Sequence, residues 1–186
     1  EDGVHVRGAL PLGHLDRAVA VKFLHNPGDD TMRRLFEREA RALAAVSDHR
    51  HIVPIYAWGE HENMQYFAMQ YFEGSASQLL KEHPNGLPIQ TALRLVQQSA
   101  EGLQAAHEAG ILHRDVKPAN ILMDPKSGDA KVSDFGLARS GEDIGFTLAG
   151  RISGSPPYMS PEQAMGGVVD ARSDVFSLGV ALHELL

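Results

Sequence analysis

Apolar and polar residues alternate in short strand-like runs over the first third of this chain, and then settle into helical spacing. Positions 17–24, Arg-Ala-Val-Ala-Val-Lys-Phe-Leu, alternate as a half-buried strand does. A turn cluster follows at 26–30, with Thr31 the expected cap of a helix over 32–46, where Leu35, Phe36, Leu43 and Val46 share one face. Two apolar runs at 52–58 and 65–69, separated by Gly59-Glu60-His61-Glu62-Asn63, predict a pair of antiparallel strands.

Beyond position 85 the pattern is mainly helical. Gly86-Leu87-Pro88 opens an amphipathic stretch to about Ala109, with Pro88 suited to the first turn and Gly110 to the stop. Short strands at 121–123 and 130–132 flank the turn Lys126-Ser127-Gly128-Asp129. A Gly/Ser/Pro-rich loop is expected over 136–161 and a last helix from about Asp174. These elements make an α+β protein, a small sheet lobe with one helix over 1–69 and a mainly helical lobe over 75–186, joined at 70–74. The sequence starts without Met and stops inside an apolar helical pattern, so it is expected to be a piece of something longer. Alone, it is expected to be poorly soluble or inactive, with an apolar face uncovered.

Composition removes several functions. The net charge of −7 argues against a broad grip on nucleic acid or anionic lipid. The absence of cysteine excludes a disulfide scaffold, a thiolate metal site and thiol catalysis. No apolar run is long enough to span a bilayer. His49, His51, His107 and His113 make no zinc-hydrolase pattern and are read as surface or structural residues.

The strongest chemical signal lies in two short runs. The run His113-Arg114-Asp115-Val116-Lys117-Pro118-Ala119-Asn120 and the tripeptide Asp134-Phe135-Gly136 lie on either side of the predicted hairpin. Phosphoryl transfer needs oxygen ligands for a metal, a carboxylate to orient the attacking hydroxyl, and cations for the phosphates. Asp115, Lys117, Asn120 and Asp134 supply those parts from two loops that the hairpin can bring together. Singly each has an ordinary explanation: a lysine at a strand end is usually solvated, and Asp-Phe-Gly is a common turn.

In this order and spacing, the residues resemble the eukaryotic-type protein kinase family, serine/threonine branch, in a bacterial-like form. The resemblance runs from Val19 to Leu186. It implies that Lys22 holds the α- and β-phosphates of ATP and that Glu39 pairs with it, Glu37 being the competing carboxylate. It implies Asp115 as catalytic base, Lys117 near the γ-phosphate, and Asn120 and Asp134 as Mg²⁺ ligands. Adenine would lie between Ala20 and Leu122, with Met69 behind it and Gln70, Tyr71 and Phe72 as the hinge. Residues 154–162 resemble the peptide-docking loop, with Ser155 where threonine is usual and its hydroxyl expected to bridge Asp115 and Lys117. Lys117 favours Ser and Thr hydroxyls of proteins as acceptors. Arg114 and Arg139 are expected to receive a phosphate on Thr147 or Ser153, and the need for ATP implies the cytoplasm.

One departure stands out. Gly3, Gly8 and Gly13 precede Lys22 without the family's Gly-x-Gly-x-x-Gly spacing. That departure favours the alternative, a pseudokinase scaffold with weak or no turnover. The complete set Lys22, Glu39, Asp115, Asn120 and Asp134 favours the enzyme. A small-molecule phosphotransferase is the third reading, and it leaves the docking loop without a purpose.

Overall fold

A computed structural model describes residues 6–8, 18–24, 30–62, 64–124, 127–135 and 155–186. The side chains of β1 (Val6–Gly8), of Leu24 and of much of the first half of α1 (Asp30–Val46), Glu39 among them, are outside that description.

Strand β2 (Val19–Leu24) buries Val19 and Val21 on one side of its pleat and leaves Ala20 and Lys22 half-buried on the other. It lies inside a four-stranded antiparallel sheet of order β1-β2-β4-β3, where β3 is Ile55–His61 and β4 is Met64–Gln70. Its register with β4 sets Ala20 opposite Met69 and Lys22 opposite Phe67. Ala40 and Leu43 of α1 share a buried core with Phe67 and Met69, so the helix closes one side of this sheet.

After β4 the chain crosses to a second sheet, β5 (Gly74–Ser75), β6 (Ile121–Met123) and β7 (Ala130–Val132). Helix α2 (Ala76–Glu82) begins at once, because Ser75 and Gln78 form a reciprocal capping box. Helix α3 (Ile89–Glu108) buries Ala92, Leu95, Ser99, Gly102, Leu103 and Ala106, a stripe at helical spacing. Gly102 is required there by contact. A Cβ at that position would stand 2.4 Å from the carbonyl oxygen of His51. The chain at 51–53 runs beside β7, with Val132 N–H donating to His51 O at 2.9 Å and Val53 N–H to Val132 O at 3.0 Å. His51 is itself buried, its Nδ1 2.8 Å from Ala130 O. Two further helices, α4 (Pro161–Ala164) and α5 (Ala171–Leu185), complete the larger half, and α5 packs on α3.

The fold is α+β, as the sequence implies, and several boundaries differ. Helix α1 begins at Asp30, so Thr31 lies within its first turn and does not cap it. Pro88 is the N-cap of α3, with its carbonyl accepting from Thr91 and Ala92, one place before the first turn. Strand β3 continues through Gly59-Glu60-His61 and the chain turns after it, with Glu62 in the left-handed region (φ 50°). Helix α5 starts at Ala171, three residues before Asp174, because Asp170 accepts from the Arg172 N–H as its cap. Strand β5 and helix α2 run from the end of the expected hinge to Glu82, a stretch for which the sequence pattern predicts no element. On α5, Val175 and Phe176 are exposed.

Candidate active site

The β6–β7 hairpin draws two loops together. Ile121 pairs with Val132 at the base of the ladder, and one residue outward Ser133 N–H donates to Asn120 O at 2.9 Å. The loop before β6 carries His113 to Asn120 and the turn after β7 carries Asp134 and Phe135. His113 is fully buried between them. Its Nε2 lies 2.8 Å from Ser133 O, its Nδ1 accepts the Asp115 N–H at 3.2 Å, and its ring packs on Phe135 at 4.7 Å. That pattern defines a neutral ring with its proton on Nε2. Burial pushes its pKa below the ordinary histidine value, against the opposing pull of Asp174, the Ser133 carbonyl, Asp115 and Asp134.

Asp115 is held from three sides. Lys117 Nζ is 2.9 Å from Asp115 Oδ2, and Asn120 Nδ2 donates to the Asp115 carbonyl at 2.8 Å. Pro118 starts a single 3-10 turn, Pro118–Asn120, and leaves Lys117 extended (φ −159°, ψ 161°). Lys117 Nζ also donates to Ser155 Oγ at 2.6 Å. The bridge between Asp115 and Ser155 is thus the lysine, where the sequence suggested the serine hydroxyl would bridge the other two.

Lys22 reaches from the first sheet to this cluster, with Nζ 2.7 Å from Asp134 Oδ1 and both side chains about one-fifth exposed. Asp134 sits at φ 57° and Arg114 at φ 64°, a region that costs a residue with a Cβ roughly 1–2 kcal/mol. Asp174 of α5 offsets that cost at Arg114. It is 1% exposed, and it accepts from Arg114 N–H at 2.7 Å, His113 N–H at 2.8 Å and His107 Nε2 at 2.7 Å. The buried carboxylate fixes the loop in its left-handed bend.

The segment 155–164 is tied both to α5 and to the loop that carries Arg114 and Lys117. Pro156–Tyr158 forms a 3-10 turn, Ser177 Oγ donates to Tyr158 O at 2.7 Å, and the Tyr158 hydroxyl donates to Glu184. Burial and the Glu184 carboxylate raise the Tyr158 pKa, so the phenol keeps its proton. Ser160 caps α4 in a capping box with Gln163, and Gln163 Nε2 donates to Arg114 O at 3.0 Å. Glu162 accepts from Ser173 Oγ, which holds its carboxyl below the usual range.

Of the residues singled out in the sequence, Lys22 meets Asp134, Asp115 meets Lys117 and Asn120, and Ala20 faces Met69 across the sheet. Met69 and Phe72 are buried in the core, with Leu122 packed against it and Gln70 ending β4. Glu39 lies on α1 with its side chain outside the described residues, and Gly3, Gly13, Arg139, Thr147 and Ser153 lie outside them altogether. Gly8 ends the edge strand β1. The roles of Gln163, Ser173 and His107 escape sequence reasoning. The spacing Ser160-x-x-Gln163 signals a capping box, but nothing in it announces the bond to Arg114. Among the described residues no group of three or more histidine and carboxylate side chains is arranged to hold a metal, and no helix is long and apolar enough to cross a membrane.

Comparison with known proteins gives one answer. The protein kinase domain profile matches residues 13–186. The serine/threonine-protein kinase PrkC of Bacillus subtilis is 41% identical over 177 residues, covering 92% of this chain and 26% of that protein. PknL of Mycobacterium tuberculosis is 39% identical over 174 residues, covering 92% of this chain and 43% of that protein. The crystal structure of the Mycobacterium tuberculosis PknI kinase domain superposes with a TM-score of 0.73 at 32% identity, covering 92% of this chain and 64% of that one. The chain therefore spans about a quarter to under half the length of these two curated relatives.

Proposed function

Because this chain belongs to the protein kinase domain family, we propose that it transfers the γ-phosphoryl group of ATP to Ser or Thr hydroxyls of proteins, its own activation loop among them. One observation carries the reading. Asp115, Lys117 and Ser155 form a continuous chain of contacts, 2.9 Å and 2.6 Å, between a carboxylate, an ammonium and the segment that resembles a peptide-docking loop. A base and a cation joined to the surface that would seat the acceptor is what in-line transfer requires.

Asp115 orients the acceptor hydroxyl and takes its proton as the new O–P bond forms and the bond from the γ-phosphorus to the ADP oxygen breaks. Lys117 neutralises charge on the moving phosphoryl group and keeps Asp115 aimed. Lys22 binds the α- and β-phosphates, with Glu39 as its partner on α1. Ala20, Met69 and Leu122 surround adenine, and Gln70, Tyr71 and Phe72 offer it hinge backbone groups, the hinge at 70–74 dividing a smaller lobe from a larger one. The need for ATP places the domain in the cytoplasm.

The oxygen donors fit Mg²⁺. The Asn120 amide nitrogen is turned onto Asp115 O, which directs Oδ1 the other way, and Asp134 presents a carboxylate with only Oδ1 on Lys22. Asn120 and Asp134 would hold the ion. When bound, it neutralises charge on the phosphate oxygens. The test is radiolabel transfer from γ-labelled ATP by the full natural protein, with Asp115→Asn and Lys22→Met beside it. Incorporation on Ser or Thr that disappears in both variants supports the reading. Nucleotide binding without incorporation rejects it in favour of a scaffold.

A further inference from the structure

We propose that Gln163 is a positioning residue for Asp115, acting through the peptide plane that joins Arg114 to Asp115; this deepens the kinase reading and rests on it. That plane has two polar edges. On one, Asp115 N–H donates to His113 Nδ1 at 3.2 Å. On the other, Arg114 O accepts from Gln163 Nε2 at 3.0 Å. The rotation that would swing the Asp115 carboxylate is therefore opposed at both ends. It needs opposing, because Arg114 is held at φ 64°.

Gln163 has a second bond, and the two can be told apart chemically. Its Oε1 accepts the Ser160 N–H at 3.1 Å while Ser160 Oγ accepts the Gln163 N–H at 3.3 Å. Glutamate performs that capping exchange as well as glutamine does. Only the amide can also donate to Arg114 O. The bond closes a ring through the site: Asp174 holds Arg114 N–H at 2.7 Å, Gln163 holds Arg114 O, and the neighbours Ser173 and Glu162 are bonded to each other. Through this ring the segment at 155–164 senses, and sets, the angle of the loop that carries Asp115.

Gln163→Glu keeps the cap and removes the donor, whereas Gln163→Ala removes both. In the full natural protein, both variants should lower kcat for peptide phosphorylation about five- to tenfold, the reach of one neutral hydrogen bond. KM for ATP should not move, and amide exchange over 113–117 should accelerate in both. Gln163→Glu turning over like the parent while Gln163→Ala fails would reduce Gln163 to a helix cap and overturn the proposal. If the added charge unfolds Gln163→Glu, Gln163→Met is compared with Ser160→Ala. A kcat no lower for Gln163→Met than for Ser160→Ala would overturn it equally. If the parent itself transfers no phosphate, the kinase reading fails, and exchange decides alone: unchanged exchange over 113–117 in Gln163→Glu rejects the clamp.

Discussion

Replacing Asp174 by asparagine preserves the shape of a side chain that is 1% exposed and removes its charge. Asp174 Oδ1 accepts from Arg114 N–H, and Oδ2 accepts from His113 N–H and the His107 ring, at 2.7, 2.8 and 2.7 Å. An asparagine has one carbonyl oxygen for those three donors. Its amide nitrogen must face either the two donors on Oδ2 or the one on Oδ1, and the second choice sacrifices less. The cost is then the charge-assisted bond to Arg114, about 1.5–3 kcal/mol, with the other two weakened by loss of charge, for a total of about 2–4 kcal/mol. For a domain of this size that predicts a fall in Tm of roughly 5–15 °C. The left-handed bend at Arg114 loses its counterweight in the same step, so amide exchange over 113–115 should rise and kcat should fall at least about tenfold. Thermal unfolding followed by circular dichroism, beside exchange of the same samples, measures both. A Tm within about 2 °C of the parent with unchanged exchange would refute the argument that this buried carboxylate holds the loop.

Two further outcomes follow from packing and protonation. His113 is buried neutral, so the unfolded chain takes up a proton there below about pH 6.5 that the folded chain resists. Stability should fall as the pH drops through that value, and His113→Gln should flatten the slope, measured as urea midpoints between pH 8 and 5.5; equal slopes would contradict it. Gly102→Ala gains about 1 kcal/mol of helix propensity, yet its Cβ would stand 2.4 Å from the His51 carbonyl oxygen. Tm should fall by several degrees, and a rise would show that α3 can move off the 51–53 segment.

Much of this site is legible in the sequence because its parts are local or carried by regular elements. Asp115, Lys117 and Asn120 fall within one loop, and the Ile121–Met123 and Ala130–Val132 strands announce the hairpin that brings Asp134 beside them. Lys22 could be placed on its strand from alternation alone. The supports are less legible. The family resemblance implies that 174–179 is the buried helix under the catalytic loop, but neither the individual bonds of Asp174 nor the one from Gln163 can be read from the sequence. Asp174 is 60 residues from Arg114 in sequence and Gln163 is 49, and no local pattern records such distant bonds. Helix α2 escapes the periodicity because its run is short, although Ser75-Ala76-Ser77-Gln78 carries the spacing of its capping box. The start of α5 expected at Asp174 falls three residues late because Asp170, which caps the helix, reads equally well as a loop residue.

The most direct test of the central claim is phosphoamino-acid analysis of the product after the full natural protein is incubated with γ-labelled ATP, Mg²⁺ and a generic protein substrate. Label on Ser or Thr, lost in Asp115→Asn and in Lys22→Met, is the result expected of a base and a phosphate-binding lysine joined through this site. Label that persists in Asp115→Asn, or none in the parent despite bound nucleotide, would contradict it.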